Sequence, residues 1–364
     1  MRRTFFTGAP GFIGTRLARK LLEESTERSL SLLVYPEPAL LEKARALATE
    51  EETAGRVEVI PGDIRAPHLG LAKRAYERIA DEAEEVFHLA ALYDISAPRE
   101  PSYRVNVSGT RHILDLCERM KQLRRLVYFS TFVVSGDRTG IIYEHELQCG
   151  QRFRNWYEET KFLAEVEVRR RSGVIPTIIV RPAITVGDSR SGQIEKYDGP
   201  YYLIAALARH ERHGALGLRT RLLAAGEAQA PFHVIPVDFL IEATCAIAAD
   251  PASVGKTFHI MDPQEKSLAE FRSMVLDRFG IDEFPVPVSA RLLRSLFLIP
   301  GVERLARTPR ELLDYMDSEA KYDDANTRAV TAKAGIACPP IASYIDTLVA
   351  FVRSHPEIPI RMPR

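Results

Sequence analysis

A doubly wound α/β fold is what this sequence predicts, and three observations carry it. Strand-like and helix-like segments alternate over the first half of the 364 residues, the pattern of a parallel sheet with helices on both faces. A glycine run, Thr7-Gly8-Ala9-Pro10-Gly11-Phe12-Ile13-Gly14, follows the first apolar stretch. Phe12, Ile13, Leu17, Leu21 and Leu22 then recur at helical spacing.

Strands are expected at Arg3 to Thr7, Ser29 to Tyr35, Val57 to Pro61, Glu85 to Leu89, Arg125 to Ser130 and Thr177 to Arg181, with helices at Gly14 to Glu24, Pro38 to Thr49, Leu71 to Ala80, Ser102 to Lys121 and Asn155 to Ser172. Residues 1–182 thus read as a Rossmann-type domain. After Pro182 the pattern is mixed: a Gly-, Asp- and Ser-rich stretch from Val186 to Gly192, a loop from Tyr197 to Tyr202 and an apolar helix from Leu203. Late strands at Phe232 to Ile235 and Thr257 to Ile260 flank a helix from Val237 to Ala249, and the tail from Ser267 is mostly helical. Residues 183–364 are expected to form a smaller, mixed α/β but mostly helical substrate-binding lobe, interleaved with the first domain through those late strands.

Lys plus Arg and Asp plus Glu both number 49, so no basic field points to nucleic acid, although 39 arginines favour phosphate contacts. Cys117, Cys149, Cys245 and Cys338 form no C-x-x-C pair, and no secretory leader precedes the first strand, so a reduced, cytoplasmic setting is expected. No apolar run is long enough for a spanning helix. His210 and His213 lack the further spacing of a zinc motif, and no metal is expected.

A strand, a tight glycine turn and a helix N-terminus together make an anion site, because unpaired backbone N–H groups and the positive dipole end face one point. That assigns Thr7, Gly8, Gly11, Phe12, Ile13 and Gly14 to a dinucleotide phosphate. Tyr157 and Lys161 are four residues apart and so share a helix face. A phenol titrating near pH 10 can exchange a proton near neutrality only if a neighbour stabilises the phenolate, and Lys161 is spaced to do so. Ser130 and Thr131 put two hydroxyls at the carboxyl end of a strand, the edge where open α/β sheets bind ligands.

With these motifs the chain resembles an extended short-chain dehydrogenase/reductase. Asp63-Ile64, His88-Leu89-Ala90-Ala91, Asn106-Val107-Ser108-Gly109-Thr110 and Arg181-Pro182 complete that family's order. The resemblance implies Thr131 as the catalytic hydroxyl, with Ser130 the fallback. It also implies Tyr157 as acid or base, Asp63 and Ile64 beside the adenine, Ala90 and Ala91 beside the nicotinamide ribose, and Lys161 on the ribose hydroxyls. His88 reads as a satisfied sheet-edge histidine, and Asn106 as a tie between strands. Gly62-Asp63 followed by Pro67 and Leu69-Gly70-Leu71 is similar to fatty acyl-CoA reductases and thioester-reductase domains, as are Val186 to Ser189, Cys338-Pro339-Pro340 and Tyr344. That implies a small-molecule or carrier-linked acyl substrate with an apolar chain.

Departures from the family pattern matter. Pro10 removes one N–H from the turn. Tyr35 stands where an NAD-selective site would hold Asp or Glu against the ribose 2′-OH, which leans toward NADP, with Arg16, Lys43 or Arg45 to meet a 2′-phosphate; the family's typical Arg beside Tyr35 is missing. The runner-up function is a nucleotide-sugar epimerase or dehydratase, disfavoured because Ala183 and Ile184 follow Pro182 in place of the Asn typical there. A silent dinucleotide-sensing or scaffold protein is the reading from another class. The segment from Ala290 to Pro300 is expected to pack in the small lobe, with peripheral membrane contact and homodimerisation left open.

Overall fold

The computed structural model describes residues 2–51, 53–213, 230–281, 295, 298, 315 and 318–360. In chain order the elements are β1 (Arg2–Thr7), α1 (Phe12–Glu23), β2 (Arg28–Val34), α2 (Pro38–Thr49), β3 (Val57–Pro61), α3 (Lys73–Glu82), β4 (Glu85–His88), α4 (Arg99–Tyr103), a π-turn (Arg104–Ser108), α5 (Gly109–Arg119), β5 (Arg125–Phe129), β6 (Gly140–Ile142) and α6 (Trp156–Arg171). Then come β7 (Thr177–Pro182), β8 (Ile184–Val186), α7 (Tyr201–His213), β9 (Pro231–Phe232), β10 (Val234–Pro236), α8 (Val237–Ala249), β11 (Thr257–Ile260), β12 (Lys266–Ser267), α9 (Leu268–Arg278), β13 (Ala320–Tyr322), α10 (Ala325–Ala334) and α11 (Ile341–Ser354).

Seven strands form one parallel sheet in the order β11-β7-β5-β4-β1-β2-β3. The order runs outward in opposite directions from β1 and β4, so the crevice at their carboxyl ends is the topological switch point where such sheets bind ligands. Side chains alternate across the sheet: Phe6 and Leu32 pack with Leu17, Leu21, Leu47 and Leu240 on one face, and Phe5 and Leu33 with Ile79, Ile113 and Val168 on the other. Both faces are covered, which is why the strands read as continuous apolar runs. A third cluster joins α7, α9 and α11 through Ile204, Val275, Tyr344 and Leu348.

Local departures from the expected elements have visible causes. The helix expected across Ser102 to Lys121 is interrupted by the π-turn at Arg104–Ser108, where the Asn106 side chain is drawn out to the backbone of Leu92. The long loop before α6 contains β6, which pairs in parallel with β13, 180 residues later; three residues are too few for their own pattern to show. Of residues 290–300, only 295 and 298 lie among the described residues. Among the described residues no helix is long and apolar enough to cross a membrane.

One charged cluster fixes α6 to the sheet. Glu165, wholly buried, accepts from Ser130 Oγ at 2.6 Å, from Arg181 Nη2 at 2.6 Å and Nε at 3.0 Å, and from Arg169 Nε at 3.0 Å. Arg181 Nη1 also donates to His259 Nε2 at 3.0 Å, and His259 Nδ1 to the Asp323 carbonyl at 2.6 Å. Burial alone would raise the Glu165 pKa, but the charge and hydrogen bonds of Arg181, with Arg169, hold it at about 2. Removing one member of a buried pair leaves an uncompensated charge, so Glu165→Gln should cost about 3–5 kcal/mol in urea unfolding. A loss under about 1 kcal/mol would show that the cluster tolerates the change.

Candidate active site

The glycine turn after β1 is shaped for close backbone approach. Gly8 has φ +99°, and a Cβ there would lie 2.9 Å from Ala90 N and 2.7 Å from Leu89 Cβ. A Cβ on Gly14 would lie 2.3 Å from the Gly8 carbonyl oxygen, so the turn folds onto the helix only without side chains at these places. Helix α1 begins at Phe12 with no side-chain cap and no acid in its first turn. The amides of Phe12, Ile13 and Gly14 have no intrahelical acceptor at i−4 to reach. A cradle that side chains would fill, ending in free amides at a positive dipole end, fits a dinucleotide phosphate.

A neutral relay joins that turn to β4. Ala90 N–H donates to Thr7 Oγ1 at 3.2 Å, and Thr7 Oγ1 lies 2.8 Å from His88 Nδ1. On the other side, His88 Nε2 lies 3.1 Å from Thr110 Oγ1, which donates to the Asn106 carbonyl at 2.6 Å. Since Thr110 spends its proton on that carbonyl, His88 must carry its own on Nε2 and accept at Nδ1. Burial, then the Lys161 charge, pushes the imidazole pKa down to about 3. His88 is therefore a saturated structural residue. Asn106 joins Leu92, in the loop after β4, to Thr160 on α6, a tie between a loop and a helix where one between strands was expected. Ala90 is half-buried beside Thr7, and Ala91 is exposed at the same edge.

Helix α6 is anchored so that Tyr157 opens it. Asn155 Oδ1 caps the helix by accepting from Glu158 N at 3.0 Å, and Glu158 Oε2 accepts from Arg154 N, just before the cap, at 2.9 Å. Glu158 and Glu159 lie in the first turn and Arg169 to Arg171 in the last, matching the helix dipole. Tyr157 is buried beside Thr131; burial raises the phenol to about 12, the neighbouring Thr131 hydroxyl lowers it in part, and Glu158 adds to the rise. Lys161 Nζ donates to the Phe129 carbonyl at 2.6 Å, at the end of β5. Burial lowers its pKa to about 8 against the upward pull of Glu165. Of the two candidate hydroxyls, Thr131 meets Tyr157, whereas Ser130 donates to Glu165.

At the carboxyl end of β3, Asp63 caps the turn that follows and is bound by Arg65: backbone N to Oδ1 at 2.9 Å, Nε to Oδ1 at 2.9 Å and Nη2 to Oδ2 at 2.9 Å. Burial works against ionisation of Asp63, yet the Arg65 bonds hold its pKa below the usual range. Ile64 is buried, with its carbonyl 2.7 Å from His112 Nδ1. Tyr35 is 46% exposed just past β2. Arg16 commits its guanidinium to the Phe12 carbonyl at 3.1 Å and to Gln193 at 3.1 Å, with Glu195 3.9 Å away. Lys43 and Arg45 lie on the exposed side of α2.

Two residues enter the site without having been singled out in the sequence. Tyr93 stands edge-on to Tyr157 at 5.1 Å, with Lys196 of the 187–202 loop 4.5 Å from its ring; its place in the loop after β4, at the switch point, was the available signal. Arg65 was the other, two residues beyond Asp63 on the same edge.

Comparison with known proteins agrees with this geometry. The family model described as Male sterility protein, an NAD-binding group, matches residues 6–244. The nonribosomal peptide synthetase asaC of Aspergillus flavus is 25% identical over 96% of this chain and 36% of its own length. A carboxylic acid reductase of Mycobacterium tuberculosis is 27% identical over 78% of this chain and 25% of its own. The chain thus matches about a third or less of these two curated relatives. The crystal structure of the terminal R domain from the myxalamid PKS-NRPS biosynthetic pathway superposes with a TM-score of 0.81 at 25% identity, covering 100% of this chain and 93% of that one. With the glycine cradle at the switch point and the Tyr157 and Lys161 helix beside it, the chain belongs to the male sterility protein family, the thioester-reductase-like, nicotinamide-dinucleotide-binding branch of the extended short-chain dehydrogenases/reductases.

Proposed function

We propose that the chain is an NADPH-preferring reductase acting on the carbonyl carbon of an acyl thioester, carried on a carrier domain or coenzyme A, or of the related aldehyde. The observation that carries this reading is the buried Thr131 and Tyr157 pair at the carboxyl end of β5, with Lys161 one helical turn beyond. The synthetase, carboxylic acid reductase and terminal R domain relatives support a carrier-linked acyl group.

The dinucleotide is held by the amides of Phe12 and Ile13 over Gly8 and Gly11, by Asp63 and Ile64 at the adenine, and by Ala90, Ala91 and Lys161 at the nicotinamide ribose. When bound, it supplies the hydride. Thr131 hydrogen-bonds the substrate carbonyl oxygen while Tyr157 gives that oxygen its proton. A phenol kept at about 12 by burial stays protonated at neutral pH, the form reduction requires. The ammonium of Lys161 and the Thr131 hydroxyl stabilise the phenolate left behind. From a thioester the first product is a hemithioacetal; return of its hydroxyl proton to the phenolate and expulsion of the thiolate yields the aldehyde. The 187–202 loop, touching Tyr93 through Lys196, and the rest of residues 183–364 select the acyl chain.

Tyr157→Phe deletes the transferable proton but keeps the ring, so turnover should fall ~10²–10⁴-fold with cofactor affinity unchanged; full steady-state activity would defeat the mechanism. Calorimetric titration of the wild-type protein should show NADPH binding more tightly than NADH, and Tyr35→Asp should shift the ratio toward NADH by adding an acceptor for the 2′-OH and repelling the 2′-phosphate. For the substrate class, acyl thioesters and aldehydes of increasing length should consume NADPH with kcat/KM rising roughly three- to fourfold per methylene, as follows from about 0.8 kcal/mol per buried CH₂, until the groove is filled. A flat profile would exclude chain reading. Nucleotide-sugar turnover without net NADPH consumption would instead establish an epimerase or dehydratase.

A further inference from the structure

Tyr35 leaves the end of β2 without a charge, and the turn after the neighbouring strand β3 supplies one. The Arg65 guanidinium lies over the Tyr35 ring, 4.7 Å from its centroid. The arginine that the sequence lacks beside Tyr35 is thus present in space. A guanidinium carries five N–H donors; Asp63 takes those on Nε and one side of Nη2. The outer edge is left for an incoming anion.

The surrounding turn is built to hold Arg65 in place. His68 and Leu69 both adopt left-handed backbone, φ 52° and 61°, a conformation a bulky side chain tolerates only when its surroundings enforce it. Complete burial of Leu69 and the 2.8 Å bond from Asp63 N to the Leu69 carbonyl provide that enforcement. The Arg65 and Asp63 side chains are 33% and 25% exposed, where an ion pair contributes little to stability, so stability is a poor reason for the arrangement. The charge of Arg104 also reaches Asp63, so two arginines offset its carboxylate. Arg16, the nearer candidate in sequence, is spent on Phe12 and Gln193.

We propose that Arg65 is the residue that reads the adenosine 2′-phosphate, from the β3 turn rather than from the residue after β2. This rests on the dinucleotide reading above and names the determinant of its NADPH preference. The test is calorimetric titration of the full chain with NADPH and NADH, the readout being the ratio of the two dissociation constants. Arg65→Gln should weaken NADPH roughly ten- to a hundredfold, the scale of a lost charge-assisted hydrogen bond, while NADH changes less than about twofold; NADH binding also reports that the variant is folded. Because Arg65→Gln also bares the Asp63 carboxylate, Asp63→Asn is added to it: a ratio that stays low supports a direct phosphate contact. Recovery of NADPH preference in that double variant, equal losses for both cofactors, or an unchanged ratio in Arg65→Gln would each overturn the assignment to Arg65. Wild-type protein that binds NADH at least as tightly as NADPH would overturn the NADPH preference itself, and binding of neither would overturn the dinucleotide reading.

Discussion

The buried carboxylate of Glu165 is the interaction on which the site depends. It lies one helical turn beyond Lys161 and two beyond Tyr157, and it binds Ser130 after β5 and Arg181 on β7. Through Arg181 and His259 the same cluster reaches β11 and the Asp323 carbonyl before α10. A buried ion pair adds little net stability over apolar packing, but it allows very few arrangements of its members. Here that selectivity sets the rotation of α6 against the strand ends, and thereby where the phenol and ammonium stand.

Burial then differentiates the titratable groups. His88, Tyr157 and Lys161 are all deeply buried, and desolvation moves each toward its neutral form: the imidazole to about 3, the phenol to about 12, the ammonium to about 8. His88 is thereby removed from proton chemistry near neutrality, Tyr157 stays protonated there, and the Lys161 pKa is brought nearer to neutrality. Glu165 moves the other way, since two arginines outweigh its desolvation. One apolar environment thus yields different protonation behaviour according to the partners each group retains.

Residues after Pro182 meet α6 and the end of β5 through contacts that carry direction. Lys196 stands on the Tyr93 ring, which stands edge-on to Tyr157. Asn155, the cap of α6, donates to the Tyr315 hydroxyl at 2.9 Å. Phe132, just after Thr131, packs edge-on against Tyr322 of β13 at 5.3 Å.

What the sequence by itself determined is whatever is local in the chain. The sheet strands follow from short apolar runs and their helices from 3.6 periodicity; the cradle follows from glycines at fixed offsets; and the shared face of Tyr157 and Lys161 follows from a spacing of four. What only the tertiary structure decided is whatever depends on residues distant in sequence. Ser130 and Thr131 are adjacent hydroxyls with equal claims until Glu165 takes one and Tyr157 the other. Arg16 looked available until Gln193, 177 residues away, engaged it, and Tyr35 looked to stand without a charge until Arg65 from the turn after β3 covered it. The three-residue pairing of β6 with β13 left no period to read. Periodicity encodes which face of an element is buried, whereas the partner of a polar side chain is fixed only when folding brings donor and acceptor atoms within about 3 Å of each other.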